Sequence, residues 1–345
     1  IMIMTMESIK GQLNSKEYDF LRKNSNLGNH IILLTLGGSH AYGMEKEGSD
    51  LDVRGIALNS KSDILLGKDF EEVINMETDT TIYSFNKMVR LLSSNNPNTI
   101  EILGCKPEHY FQLSTIGKEL INNRKMFLSK VCIHTFAGYA GSQLRRLENK
   151  AARLVDQAQN EAYVLRSIQN ARYDFKNRYL QCDDNDIKLY TDVSMQEGYE
   201  SEIYMDVCLK HYPLRDWAGM WNEMKSIVRS YDKVGKRNEN AISHNKLGKH
   251  MAHLIRLYLM CIDILEKEEI ITYREKEHDL LMSIRNGEFL NENRQPTDEF
   301  YDMLNEYEKR FDYAKENTSL PDVPDYKRIN EFKMWVNECV VKEEI

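Results

Sequence analysis

The apolar run HIILLTLGG, His30 to Gly38, limits what this chain can fold into more than any other stretch. Six successive uncharged residues stopped by paired glycines read as a strand buried on both faces and ended by a tight backbone turn. LDVRGIAL, Leu51 to Leu58, reads as a second strand with partial alternation. A third, TDTTIYS from Thr78 to Ser84, is rich in β-branched and aromatic residues. FNKMVRLLSS follows with helical spacing and ends at NNPN. Mixed α and β structure is therefore expected up to about residue 105.

From Phe127 the texture changes to long charged amphipathic runs such as FAGYAGSQLRRLENKAARLVDQAQNEAYVLRSIQNARYDFKNRYL. CKPEHYF, around Pro107, is the expected transition; DDND (Asp183 to Asp186), KRNENAISHN and SLPDVPD are expected surface loops. A chain of 345 residues exceeds the size at which one core keeps growing. The expected class is α+β: a small mixed-sheet domain over residues 1–125, then a larger all-helical domain over 126–345.

Between the first two strands lies GGSHAYGMEKEGSDLDVRG, Gly37 to Gly55. Asp50 and Asp52 stand at i and i+2 at the start of a strand, which puts both carboxylates on one face, roughly 6–7 Å apart along the chain. Two anions on one face suit a hard cation such as Mg²⁺, which takes one or two carboxylates plus phosphate oxygens and water. The glycines and Ser39 supply a close-approaching backbone, convergent N–H groups and a hydroxyl, which a polyphosphate needs. Arg54, two residues beyond Asp52, shares that face, where it either orients a carboxylate or touches the triphosphate. Tyr42 either packs beneath the turn or stacks on a base.

GGSHAYG followed by GSDLDVRG resembles the signature of the polymerase-beta-like nucleotidyltransferases, and the fuller form with AYG and SDLDVRGI is similar to their RNA-ligase-associated bacterial and phage branch. The resemblance extends through TIYSFNKMVRLL, NPNTIEIL, KLGKHMAHLIRL and IRNGE. It implies transfer of a nucleoside monophosphate from an NTP to an acceptor hydroxyl, with pyrophosphate released. Asp50 and Asp52 match the family's metal-binding aspartates for two Mg²⁺ ions, with Mn²⁺ as a substitute; Gly38 and Ser39 match its phosphate-holding turn. A third carboxylate is usual on a later strand. Asp79 is the expected one; Glu101 is the runner-up, although its post-turn context reads rather as a surface or capping residue, and Glu77 is a further alternative. The family's helical domain closes over the nucleotide.

In HNKLGKHMAHLIRLYLMCIDIL, Leu247, Met251, Leu254 and Tyr258 define a core face. Lys246, His250 and His253 follow the same spacing one residue earlier, flanked by Arg256. This basic stripe is expected either to face solvent or to meet the nucleotide's phosphates, with Lys246 and His250 as the contacts. No H-E-x-x-H pattern accompanies the histidines, so zinc is not expected. Arg274, Lys276 and Arg285, and Arg145, Arg146, Lys150 and Arg153, read by default as solvated helix charges, the first group being better placed to touch an RNA end. WAGMWNEM, Trp217 to Met224, reads as core or interface.

The formal net charge of −8 leaves no bulk electrostatic footprint for a polynucleotide, so an RNA partner needs a local basic groove. Six scattered cysteines without a C-x-x-C pair read as reduced core thiols. No apolar run reaches membrane-spanning length and no leader is evident, so a cytoplasmic protein is expected. Three functions follow: transfer to an RNA end (tRNA or RNA under repair), transfer to a protein hydroxyl, or nucleotide binding without turnover. The intact D-x-D argues against the last.

Overall fold

The structure, a computed structural model, describes residues 4–152, 161–162, 164–170, 178–179, 186–193, 195, 201–231, 246–292 and 294–343. The loop expected at Asp183 to Asp186, apart from Asp186 itself, and the one at KRNENAISHN lie mostly outside them. The chain forms two compact units. The first comprises Ile1–Thr135, Met260–Asp279 and Asp312–Ile345; the second comprises Phe136–Leu259 and Leu280–Phe311. The single cut expected after residue 125 does not describe this division, because two later segments return to the first unit.

The first unit is built on a five-stranded mixed sheet of β1 (Ile31–Leu36), β2 (Val53–Ala57), β3 (Glu72–Asn75), β4 (Thr80–Ser84) and β5 (Tyr110–Leu113), in the order β3-β4-β2-β1-β5. β2 and β4 run parallel and the other pairs are antiparallel. All six residues of β1 are buried, as its unbroken apolar run requires of an interior strand. Ile31, Leu34, Leu36, Leu51, Val53, Ala57 and Ile82 pack with Ile9, Leu13, Tyr18, Leu21 and Leu27 from the preceding segment, which includes helix α1 (Met6–Leu13). A short helix, α2 (Gly38–Tyr42), leaves the end of β1. Helix α3 (Phe85–Ser93) starts where Ser84 accepts from the Lys87 N–H, a side-chain cap for an otherwise unsatisfied donor. Asn96 caps the next turn with Pro97 as its first residue, so NNPN both ends α3 and opens the turn after it.

The second unit is mainly helical, with most of α4 (Val131–Ala152), α5 (Leu214–Tyr231), α6 (Lys246–Lys267) as far as Leu259, most of α7 (His278–Asn286) and α8 (Asp298–Asn317) as far as Phe311. The helical reading missed an antiparallel ribbon within it, β6 (Ile187–Val193) and β7 (Ser201–Val207). Ile187, Leu189, Ile203 and Met205 alternate inward and pack on Val164, Ile168, Met220 and Met224. Met220 and Met224 are thus core, and Trp217 stacks on Trp221 at 6.2 Å between centroids. Leu247, Met251, Leu254 and Tyr258 are buried as their spacing demanded. Among the described residues no helix is long and apolar enough to cross a membrane.

Candidate active site

The ladder between β1 and β2 continues one residue past the strands, where the Gly37 N–H donates to the Asp52 carbonyl at 2.8 Å. This bond seats Asp52 directly against the glycine turn. Exposure alternates along the strand entry: Leu51 and Val53 are buried, whereas Asp50 is exposed and Asp52 and Arg54 are half-buried. The period of two therefore puts Asp50, Asp52 and Arg54 on the outer face. Asp50 makes no hydrogen bond or ion pair among the described residues.

Gly38 has φ +54°, and a Cβ on it would overlap the Asp52 carboxylate. Only glycine satisfies both constraints, the left-handed backbone and the contact. The next residue, Ser39, is buried. The first-turn N–H groups of α2 have no acceptor within the helix, which suits them to an anion. Gly43 ends α2 at φ +72°, with its N–H on the His40 and Ser39 carbonyls.

Asp79 does not lie on a strand. It occupies the turn before β4 with φ +44°. Its carboxylate sits 3.1 Å from Arg54 Nη2, which also lies 3.4 Å from Asp52 Oδ1, while Arg54 Nη1 donates to the Asp79 carbonyl at 2.6 Å. Arg54 thus ties the two carboxylates together, the orienting role open to it. Glu77 is in the same turn, with its N–H on the Asn75 side chain.

Glu101, expected to be a surface or capping residue, is instead buried and accepts from the Tyr42 hydroxyl at 2.8 Å. The backbone around it meets a segment some 170 residues later: the Thr272 hydroxyl donates to the Glu101 carbonyl, the Thr272 N–H to Gly104 and the Arg274 N–H to Tyr42. The Tyr273 ring lies against Gly43, with Lys106 Nζ 3.7 Å from its centroid and His109 edge-on at 5.8 Å. Burial lowers the His109 pKa and raises that of Tyr83, so both stay neutral near neutral pH. Arg274 is buried, paired with Asp263 at 2.6 Å and with Glu277, so it is a structural ion pair rather than a solvated charge. The only local hint of this bracing was the tyrosine between two glycine-flanked turns.

Lys246 and His250 belong to the second unit. Lys246 opens α6, but its side chain lies outside the described residues. His250 Nδ1 lies 3.2 Å from Gln143. Arg256 is buried, 3.2 Å from His253, whose pKa is pushed down by burial and then by that guanidinium. Part of the expected basic stripe therefore lies inside its own unit, because the core face of α6 is wider than its i, i+4 spacing implied. Arg145 pairs with Glu223 at 3.2 Å, a residue Arg178 also grips. Lys150 and Arg153 lie outside the described side chains.

Among the described residues no three His, Cys, Asp or Glu side chains are arranged to hold a metal ion. The donor set nonetheless fits a Mg²⁺ ion of the kind that takes two protein carboxylates and completes its shell with water and phosphate oxygens. Asp50 is exposed, and the oxygens of Asp52 face a glycine that clears space beside them.

No curated protein and no solved structure matches the chain. Residues 12–177 match a family described as an RNA repair pathway DNA polymerase beta family, and this segment contains the Gly37–Gly38 turn, Asp50, Asp52, Arg54, Asp79 and Glu101. Over residues 12–177, just under half of its length, the chain is thus similar to the RNA repair pathway DNA polymerase beta family, RlaP.

Proposed function

We propose that this protein is a Mg²⁺-dependent nucleotidyltransferase that moves a nucleoside monophosphate from an NTP to a hydroxyl on an RNA end, tRNA or RNA under repair, and releases pyrophosphate. The observation that carries the reading is the pair Asp50 and Asp52 on the outer face of the β2 entry, with Asp52 seated against Gly38. The family supports nucleotidyl transfer in RNA repair.

In this reading Asp50 and Asp52 would hold two Mg²⁺ ions, with Asp79 as the third carboxylate once freed from Arg54. Bound divalent ions would supply charge neutralisation for the entering and leaving oxygens of an in-line displacement. The chain's own groups do the rest. The N–H groups after Gly37, together with Ser39, bind and orient the polyphosphate. Arg54 holds Asp52 and Asp79 in place before the ions arrive, then offers its fork to phosphate oxygens. The segment 270–274 fixes α2 from behind through Tyr42, so the phosphate turn is preorganised.

Incubation with each α-labelled NTP, Mg²⁺ and separate pools of tRNA, RNA oligomers and protein tests this. Label should enter RNA and disappear in Asp50→Asn and Asp52→Asn. Full activity in either variant refutes the assignment, and label in protein alone refutes the acceptor.

A further inference from the structure

Apart from the Asp50–Asp52 face, the first unit contains a cavity of about 700 Å³, formed by α1, the loop ahead of β1, residues of β1 and the edge strand β5. That volume lies within the range of small-ligand sites. His30 immediately precedes the six residues of β1 and Gly37 follows them, so this basic end of the cavity lies roughly 20 Å from the glycine turn at strand rise, while its floor reaches Leu34. None of Gly37, Gly38, Ser39, Asp50, Asp52, Arg54 or Asp79 lines it, so it is a separate site.

Its lining has an uneven chemistry. The ionisable residues in it are Lys10, Arg22 and His30, all basic, and no carboxylate lines it, in a chain whose net charge is −8. Arg22 is fixed by bonds to the carbonyls of Leu13 and Ser15 and to Asp19. The side chains of Lys10, Asn29 and His30 make no hydrogen bond or ion pair among the described residues, although all three face this space. Phe111 and leucines of the sheet core form an apolar floor. Cations and amides with open hydrogen-bonding capacity, set around an aromatic and aliphatic floor, match a planar heterocycle bearing a phosphomonoester.

We propose that this cavity binds a mononucleotide at a site separate from the Asp50–Asp52 face, with Lys10 and His30 on the phosphate, Asn29 on the base edge and Phe111 against the ring. A polynucleotide fits less well, since among the described residues only three basic ones line the space. The inference stands independently of nucleotidyl transfer.

The test is calorimetric titration of the full chain in EDTA, which silences any site that needs a divalent ion. The probes are AMP, UMP, adenosine, inorganic phosphate and the trinucleotide pUpUpU. One equivalent of AMP or UMP should bind, and adenosine should bind at least about tenfold more weakly. Lys10→Glu and His30→Glu should each weaken nucleotide binding at least about tenfold, whereas Asp52→Asn should leave it unchanged. Lys10 is exposed, so Lys10→Glu keeps its fold, which an unchanged Tm verifies. Absence of saturable mononucleotide binding, binding that Lys10→Glu leaves intact, or binding of pUpUpU without AMP overturns the proposal.

Discussion

Replacing Gly38 with alanine separates the two demands made on that residue. Backbone in the left-handed region costs a non-glycine residue about 1–2 kcal/mol. Gly67, at φ +62° with open space around its Cα, measures that strain alone; Gly38, at φ +54°, adds an overlap with the Asp52 carboxylate. Restoring ordinary contact there requires Asp52 to shift by more than about 1 Å, and a displacement of that size at a reacting centre costs on the order of 10²-fold in rate. Urea unfolding should therefore show Gly67→Ala destabilised by about 1–2 kcal/mol with transfer unaffected. Gly38→Ala should lose at least as much stability and about 10²-fold in transfer to RNA, near 2.7 kcal/mol of barrier. If the two variants behave alike in both assays, the carboxylate does not depend on the glycine and the reasoning fails.

Arg54→Ala removes the counter-charge shared by Asp52 and Asp79; without divalent ions Tm should fall slightly, in keeping with about 0–1 kcal/mol for a partly exposed pair, and the Mg²⁺ concentration giving half the thermal stabilisation should drop. An unchanged Mg²⁺ midpoint would show that the guanidinium and the ion do not compete. Tyr42→Phe strips a donor from buried Glu101 and should cost about 1–3 kcal/mol by urea unfolding, with no measurable loss arguing against that bond. In the second unit, burial pushes the Glu148 carboxyl up to about 8 from its usual 4.5. Between those values the folded chain keeps a proton that the unfolded chain has released, so stability should fall as pH rises through this window. Glu148→Gln should flatten the Tm profile between about pH 5 and 8, and an unaltered slope would assign the dependence to other groups.

Much of the site was legible because it depends on local periodicity. The uncharged run before Gly37 could only be an interior strand, and the i, i+2 spacing of Asp50 and Asp52 determined their common face before any tertiary contact was known. Asp79 was expected on the third strand and lies instead in the turn before it. Thr80 and its successors have strand character, yet the positive φ at Asp79 and the pull of Arg54 depend on the parallel pairing of β2 with β4, which no single segment encodes. Glu101 was misjudged for a similar reason, since its burial arises from Tyr42 and from Thr272, some 170 residues away. The β6–β7 ribbon was legible in the alternation of Ile187, Leu189, Ile203 and Met205 with Lys188, Tyr190, Tyr204 and Asp206, but these short runs were read with the long charged helical stretches around them. Arg256 looked solvated because its neighbours on α6 are basic, although nearly every residue from Met251 to Leu265 is buried.

A complex with a nonhydrolysable NTP and Mn²⁺, read by anomalous scattering, addresses the central claim most directly. Manganese peaks bonded to Asp50 and Asp52, with the triphosphate on the turn from Gly37 to Ser39 and Arg54 withdrawn from at least one carboxylate, are the expected outcome. Manganese and triphosphate bound elsewhere, with Asp52 still tied to Arg54, would contradict it.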